Sequence, residues 1–264
     1  MYFKTTDNQD LYYEIRGNTK SAKSLLFLNG VVQNTAAWNL ITPSFENDYR
    51  IILCDFIFQG QSGKKGEYRD FDQHAEDIFG LITFLKIPKI TLIGISYGSL
   101  VAQNFAVNYP ERLDKLVLLS SFANKTPYFE AMNLGWQRAL QTGGFSLFLD
   151  VMLPNVLSEE YFDHPLLPIH ALKMARESMG LEASSIEKLM RATQERGDYR
   201  PYLKIVKSPT LIIHGEKDSL VTVAMGKALA GSIANSRFEI IQKAGHTLNL
   251  EAVEQSVALI KRFL

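Results

Sequence analysis

Only one cysteine, Cys54, occurs in the chain, so no internal disulfide can staple it. It closes the apolar run Ile51 to Cys54 and is expected as a small core residue. Neither sign of charge is in excess: 28 Lys and Arg balance 28 Asp and Glu, and no basic run occurs, which argues against nucleic acid or an anionic membrane surface as a partner. No stretch approaches the roughly 20 apolar residues that span a bilayer, and the opening MYFKTTDNQD lacks the basic and apolar blocks of a signal peptide. A cytoplasmic location is the resulting expectation. Internal repeats and low-complexity tracts are missing too. What the chain has is 46% hydrophobic residues over 264 positions, which suits one large α/β core carrying an insertion better than two separate domains.

The most informative stretch is Ile90 to Tyr109, ITLIGISYGSLVAQNFAVNY, where an apolar β-branched run enters Gly94-Ile95-Ser96-Tyr97-Gly98 and a helical pattern follows until Pro110. Such a turn, a nucleophile elbow, reverses a buried strand into a helix and lifts the central serine hydroxyl clear of the sheet on a strained backbone. Glycines two residues either side of Ser96 leave room where strand and helix pass closely. The positive end of the following helix points at the site.

Around the elbow, Tyr2 to Thr5 and Leu11 to Arg16 read as an edge hairpin. Leu25 to Leu28, Ile51 to Cys54, Leu116 to Leu119, Leu211 to Ile213 and Arg237 to Ile241 read as strands, the wholly apolar ones buried on both faces. A helix is expected from about Thr35, with Thr35 as its cap and Trp38 and Ile41 turned inward. Others are expected over Phe71 to Leu85, Val223 to Leu229 and Leu248 to Leu264. The alternation predicts a mostly parallel eight-stranded sheet flanked by helices. It stops between 124 and 202, where Trp136, Leu140, Phe145, Phe148, Leu149 and Met152 keep helical spacing, broken by Gly143-Gly144, Pro154, Pro165 and Pro168. This segment is expected to be a helical cap inserted into a core made of 1–123 and 203–264.

A serine nucleophile needs a base, because a free hydroxyl attacks poorly at neutral pH. Among five histidines, His246 follows the last strand in Ala244-Gly245-His246, at the sheet edge where open parallel sheets bind ligands. His74 falls on the polar side of its helix, His164 and His170 lie in the proline-rich part of the insertion, and His214 ends a strand; these are expected in surface or satisfied core roles. The base in turn needs an acid to hold its tautomer. Asp218, in His214-Gly215-Glu216-Lys217-Asp218, is the candidate; Glu216 stands too close to its strand, and Asp55 is expected to tie down its own loop.

Leu28-Asn29-Gly30, Gly94-Ile95-Ser96-Tyr97-Gly98, Tyr109-Pro110-Glu111-Arg112, Gly215-Glu216-Lys217-Asp218 and Gly245-His246 together resemble the α/β-hydrolase superfamily over about 180 residues outside the insertion. The resemblance implies a triad of Ser96, Asp218 and His246 and an oxyanion hole from the backbone N–H groups of Val31 and Tyr97. Two loops depart from the usual pattern: Asn29-Gly30 stands where His-Gly is usual, and Phe58-Gln59-Gly60-Gln61-Ser62 where a charged Arg-Gly motif is usual. Both are similar to the acyltransferase subgroup that joins 3-hydroxyacyl units in rhamnolipid formation. Asn29, Val32, Phe58, Trp136, Phe148 and Leu220 are the candidate substrate contacts. The expected chemistry is hydrolysis of a carboxylic ester or thioester through an acyl-serine, which requires neither metal nor organic cofactor. Transfer of the acyl group to another hydroxyl, lyase or C–C hydrolase chemistry, and a non-catalytic ligand receptor are the alternatives on the same scaffold. Ser96 at the elbow, where the resemblance would call for Asp, argues against a dehalogenase or epoxide hydrolase. The partner is a small acyl or aryl ester or thioester, and assembly as a homodimer stays open.

Overall fold

A computed structural model describes residues 1–264. Eight strands form one sheet in the order β1-β2-β4-β3-β5-β6-β7-β8. They are β1 (Tyr2–Lys4), β2 (Asp10–Gly17), β3 (Ser24–Leu28), β4 (Arg50–Cys54), β5 (Ile90–Ile95), β6 (Leu113–Leu119), β7 (Thr210–Gly215) and β8 (Ser236–Ile241). The β1–β2 and β2–β4 pairs are antiparallel, and every pairing from β4 to β8 is parallel.

The continuous apolar runs of the central strands follow from burial on both faces, with side chains alternating between them. Leu26, Leu28, Ile52, Cys54, Leu92, Leu116, Leu118 and Ile212 enter the larger core, beneath α1 (Phe71–Phe84) and α2 (Tyr97–Asn108). Leu25, Phe27, Ile51, Leu53, Ile93, Ile95, Val117, Leu119, Leu211 and Ile213 enter the other, with Trp38, Ile41 and Phe45. Burying each such Leu, Ile or Phe contributes about 1.5–3 kcal/mol. The start of α1 is fixed by Asp70, whose side chain accepts the Gln73 backbone N–H while Gln73 reaches back to the backbone of Asp70.

Between β6 and β7 the chain leaves the sheet through α3 (Pro127–Val156), α4 (Glu159–Asp163), α5 (Ile169–Glu177), α6 (Ala183–Glu195) and α7 (Arg200–Leu203). The ends of this excursion are tied together where the Tyr199 N–H donates to the Ala123 carbonyl at 2.8 Å. Gly144, at φ 66° and ψ −163°, kinks α3, whereas Pro154 sits inside its last turns without ending it. The chain then closes with α8 (Val223–Ala230), α9 (Leu248–Glu251) and α10 (Val253–Phe263).

Three local expectations fail. The segment at Thr35 is a short 3₁₀ turn, Thr35–Trp38, capped by Asn34, whose carboxamide oxygen accepts the Ala36 N–H at 3.1 Å. Leu248 to Leu264 is two helices, because Ala252, at φ −140° and ψ 49°, leaves the helical conformation between them. His74 is fully buried, not on a polar face: its ring packs on Phe56 and Tyr97 at centroid distances of 5.1 and 5.7 Å, and neither ring nitrogen has a partner.

That burial has a pH consequence. Desolvation lowers His74 to about 3 and His214 to about 4, and it raises Asp77 to about 7 against the opposing pull of Arg69. Between about pH 6 and pH 4 the unfolded chain therefore protonates two imidazoles that the folded chain keeps neutral. Asp77 works the other way, holding a proton in the folded state that the unfolded carboxyl has lost. Unfolding takes up about one net proton from these groups, so their contribution to stability falls by about 1.4 kcal/mol per pH unit on acidification. Replacing His74 with Phe is expected to flatten this limb and raise stability at pH 5, read from urea unfolding at pH 5 and 7.

Candidate active site

Ser96 joins β5 to α2 with φ 50° and ψ −118°, a region that L-residues rarely adopt. The flanking glycines are there for space: a Cβ on Gly94 would lie 2.6 Å from the Gly98 carbonyl oxygen, and one on Gly98 only 2.3 Å from the Leu28 carbonyl oxygen. Ser96 is held by its backbone N–H, which donates to the Leu119 carbonyl at 3.0 Å. Its side chain is half-buried and borders a cavity of about 40 Å³ that His246, Val31, Val32, Arg176 and Leu220 also line.

His246 reaches the same cavity from the loop after β8. Its Nδ1 lies 2.8 Å from Asp218 Oδ2, and its Nε2 is buried with no protein partner. The other carboxylate oxygen, Oδ1, accepts the backbone N–H groups of Leu220 and Val221 at 3.1 and 2.8 Å. An ionised carboxylate only accepts, so Nδ1 carries the proton and Nε2 presents a lone pair. The loops after β7 and β8 approach so closely that a Cβ on Gly215 would fall 2.1 Å from the Gly245 carbonyl oxygen.

The His246 loop is anchored by groups that motif spacing did not reveal. The Ser120 hydroxyl donates to the His246 carbonyl at 2.7 Å. Glu251 accepts the backbone N–H groups of Gly245, Thr247 and Ser158 at 3.0, 3.0 and 2.9 Å, joining this loop to the end of α3. Glu216 is exposed and accepts the Lys243 N–H, while His214 is buried with Nε2 2.9 Å from the Ser121 carbonyl oxygen. His164 and His170 are exposed on the insertion.

Val31 and Tyr97 both border the space beside Ser96. Tyr97 opens α2, so its N–H has no intrahelical acceptor, and the Val31 N–H makes no hydrogen bond within the chain. The loop carrying Val31 is fixed by the two departures from the superfamily pattern acting together. Asn29 accepts the Trp38 indole N–H at 2.9 Å and donates to the Cys54 carbonyl at 2.8 Å. Gln59, fully buried, donates to the carbonyls of Gly30 and Val31 at 2.8 and 3.1 Å. Asp55 receives the N–H groups of Thr35 and Gln61 at 2.8 and 2.9 Å, tying the neighbouring loop as well as its own. Burial raises the Asp55 carboxyl above its ordinary pKa.

Of the candidate substrate contacts, Val32, Trp136 and Leu220 line the cavity. Asn29, Phe58 and Phe148 do not. Asn29 is consumed by the network just described, Phe58 lies buried under Lys188, and Phe148 packs behind Trp136 at 6.0 Å. The lining also includes Arg176, Met152, Val156 and Thr247. Arg176 carried no motif: a lone arginine in a short amphipathic helix reads as solvent-facing.

An eight-stranded mostly parallel sheet with a serine at a strained strand–helix turn defines an α/β hydrolase, and the chain belongs to that family, whose model, described as the alpha/beta hydrolase fold, matches residues 23–253. Among its relatives is 3-oxoadipate enol-lactonase 2 of Acinetobacter baylyi, 30% identical over 91% of this chain and 89% of that protein. A 2-hydroxy-6-oxononadienedioate/2-hydroxy-6-oxononatrienedioate hydrolase of Paraburkholderia xenovorans is 24% identical over 96% of this chain and 90% of its own. In three dimensions the chain is similar to MGS-M2, an alpha/beta hydrolase enzyme from a Medee basin deep-sea metagenome, with TM-score 0.87 and 25% identity over 100% of this chain and 96% of that one. No helix of the chain is long and apolar enough to cross a membrane.

Proposed function

We propose that the protein is a serine hydrolase of small carboxylic esters, cyclic esters included, acting through an acyl group on Ser96. The observation that carries this reading is the buried His246 imidazole, fixed at Nδ1 by Asp218 and unpartnered at Nε2, on the cavity that also holds Ser96. The enol-lactonase relative supports extending the substrate class to lactones.

Ser96 Oγ attacks the carbonyl while His246 Nε2 takes its proton, and Asp218 stabilises the imidazolium that forms. The carbonyl oxygen becomes an oxyanion facing the N–H groups of Val31 and Tyr97, each such donor being worth about 3 kcal/mol of barrier. The imidazolium then protonates the leaving oxygen, which departs as an alcohol or stays tethered if the ester was a ring. Water gives its proton to Nε2, attacks the acyl-Ser96 and releases the acid, and the proton returns to Oγ. The helices between β6 and β7 act as a cap: Trp136, Met152 and Val156 wall the cavity. Its volume of about 40 Å³ holds only a few waters at about 10–15 Å³ each.

A fluorophosphonate probe tests the nucleophile directly. Intact mass is expected to gain one phosphonyl group, mapped to the peptide bearing Ser96; an unlabelled Ser96 would reject the mechanism and favour a ligand receptor. Gln59→Leu, which leaves the Val31 carbonyl without its Gln59 donor and the Gly30 carbonyl with the Gln33 N–H alone, is expected to lower kcat by about thirtyfold, or about 2 kcal/mol, with KM little changed. An unaltered kcat would separate that loop from the oxyanion.

A further inference from the structure

Three arginines are buried in this chain: Arg69, Arg176 and Arg196. Two are held by several groups each, although the Nε of both lacks a partner. Arg69 meets Asp7 at 2.5 Å and Asp77 at 3.4 Å. Arg196 donates to Asn104 Oδ1 and Gln103 Oε1 at 2.5 and 3.0 Å and stacks on Phe71 and Tyr199, with its guanidinium carbon 4.9 and 3.9 Å from the ring centres. Arg176 is different. It makes one hydrogen bond, from Nη1 to the neutral Val32 carbonyl at 3.3 Å, and no carboxylate faces it; Tyr161 is the one titratable neighbour acting on its charge.

A guanidinium carries five N–H donors, and burying it without an opposite charge costs several kcal/mol. Burial lowers Arg176 to about 10, which still leaves it charged at neutral pH. That cost is incurred on the wall of the cavity containing Ser96 and His246, where Arg176 also borders a wider, largely apolar cavity of about 400 Å³ lined by Leu40, Leu172, Met179 and Leu250. The charge thus stands at the junction of the two spaces. A cation that the fold leaves unpaired in such a place is matched by an anion arriving with the ligand, and a planar fork fits a carboxylate best.

We propose that Arg176 is a carboxylate-recognition residue, and that the substrate is an anionic ester bearing a carboxylate a few carbons from its scissile carbonyl. This rests on the ester-hydrolase reading for the word ester, but the recognition of a short dicarboxylate does not. Because Ser96 and Arg176 line one small cavity, the two substrate groups are close together, and a neutral ester of the same length leaves the guanidinium unpaired. Discrimination of that kind is large, since it compares a satisfied buried charge with an abandoned one.

Calorimetric titration of the intact protein with glutarate and with its neutral diamide tests the site without turnover. Glutarate is expected to bind at least tenfold more tightly than the diamide, Arg176→Met to erase this preference, and Arg176→Lys to restore part of it. Equal affinities, no saturable binding of glutarate, or a preference that survives Arg176→Met would each overturn the assignment. Where Arg176→Met fails to fold by circular dichroism, the Arg176→Lys titration decides: undiminished glutarate affinity overturns the proposal. Turnover then separates the two readings. Preferential hydrolysis of monomethyl over dimethyl glutarate supports both, and hydrolysis of the two at equal rates removes the inference while keeping the hydrolase. Glutarate binding without hydrolysis of either ester keeps the inference and removes the hydrolase.

Discussion

Ser96→Ala is expected to lower kcat/KM for a short p-nitrophenyl ester on the order of 10⁵-fold while leaving the fold intact. The two halves of this expectation have separate grounds. The Ser96 hydroxyl makes no hydrogen bond within the chain, and the bond that fixes the elbow is made by the backbone N–H, which Ala retains. The positive φ of 50° is equally strained for Ser and Ala, so thermal stability should barely move. The rate should collapse because the one other hydroxyl lining the cavity that Ser96 shares with His246, that of Thr247, is held by the Val156 carbonyl at 3.0 Å. What remains is the effect of binding and oxyanion donors on attack by water. Turnover within tenfold of wild type, in protein free of contaminating esterase, would move the chemistry away from the elbow. Ser96→Gly is a useful companion: it should be equally inactive and about 1 kcal/mol more stable, because glycine relieves the strain.

Much of the framework was legible because it is written in local patterns. The apolar runs at Leu25, Ile51, Ile90, Leu116 and Leu211 are strands of the sheet, and the spacing of Gly94, Ser96 and Gly98 reports two backbone collisions that glycine avoids. The pairing of Asp218 with His246 was legible because parallel strands deliver all their carboxyl ends to one edge, and chain order did the rest. What was not legible depends on packing between distant segments. His74 has a polar neighbourhood in sequence, yet α1 turns it under Phe56 and Tyr97. Asn29 and Phe58 sit in loops that face the site, but their side chains point back into the network and the core.

The same network explains why two unusual loops occur together. The Gly30 carbonyl accepts the Gln33 N–H at 3.1 Å within its own turn, and Gly30 and Val31 also offer their carbonyls to the Gln59 carboxamide from another loop. Gly60, at φ 43°, is what lets that loop turn tightly: a Cβ there would fall 2.0 Å from Asp55 Oδ2. Asn29, Asp55, Gln59 and Gly60 therefore form one connected unit around the loop that carries Val31. The sequence displayed all four residues but not their dependence on one another.

Asp218→Asn should reduce kcat about 10⁴-fold, although the substitution changes a single oxygen to nitrogen. The turn after β7 dictates how the new side chain must sit. Oδ1 of Asp218 is held by the N–H groups of Leu220 and Val221, and only an oxygen can accept from them. The carboxamide oxygen of Asn takes that place, which forces its NH₂ toward His246 Nδ1, 2.8 Å away in the wild type. Nδ1 must then accept, the proton moves to Nε2, and the lone pair that would receive the Ser96 proton is lost. The turn itself keeps its bonds, so the melting temperature should change little, and this separates tautomer from folding. Asp218→Ala provides the contrast: without any group to dictate the tautomer, His246 regains the productive form part of the time. It should therefore be the less stable but the more active of the two variants. Equal activity in Asp218→Asn and wild type would leave His246 without a role for its buried partner.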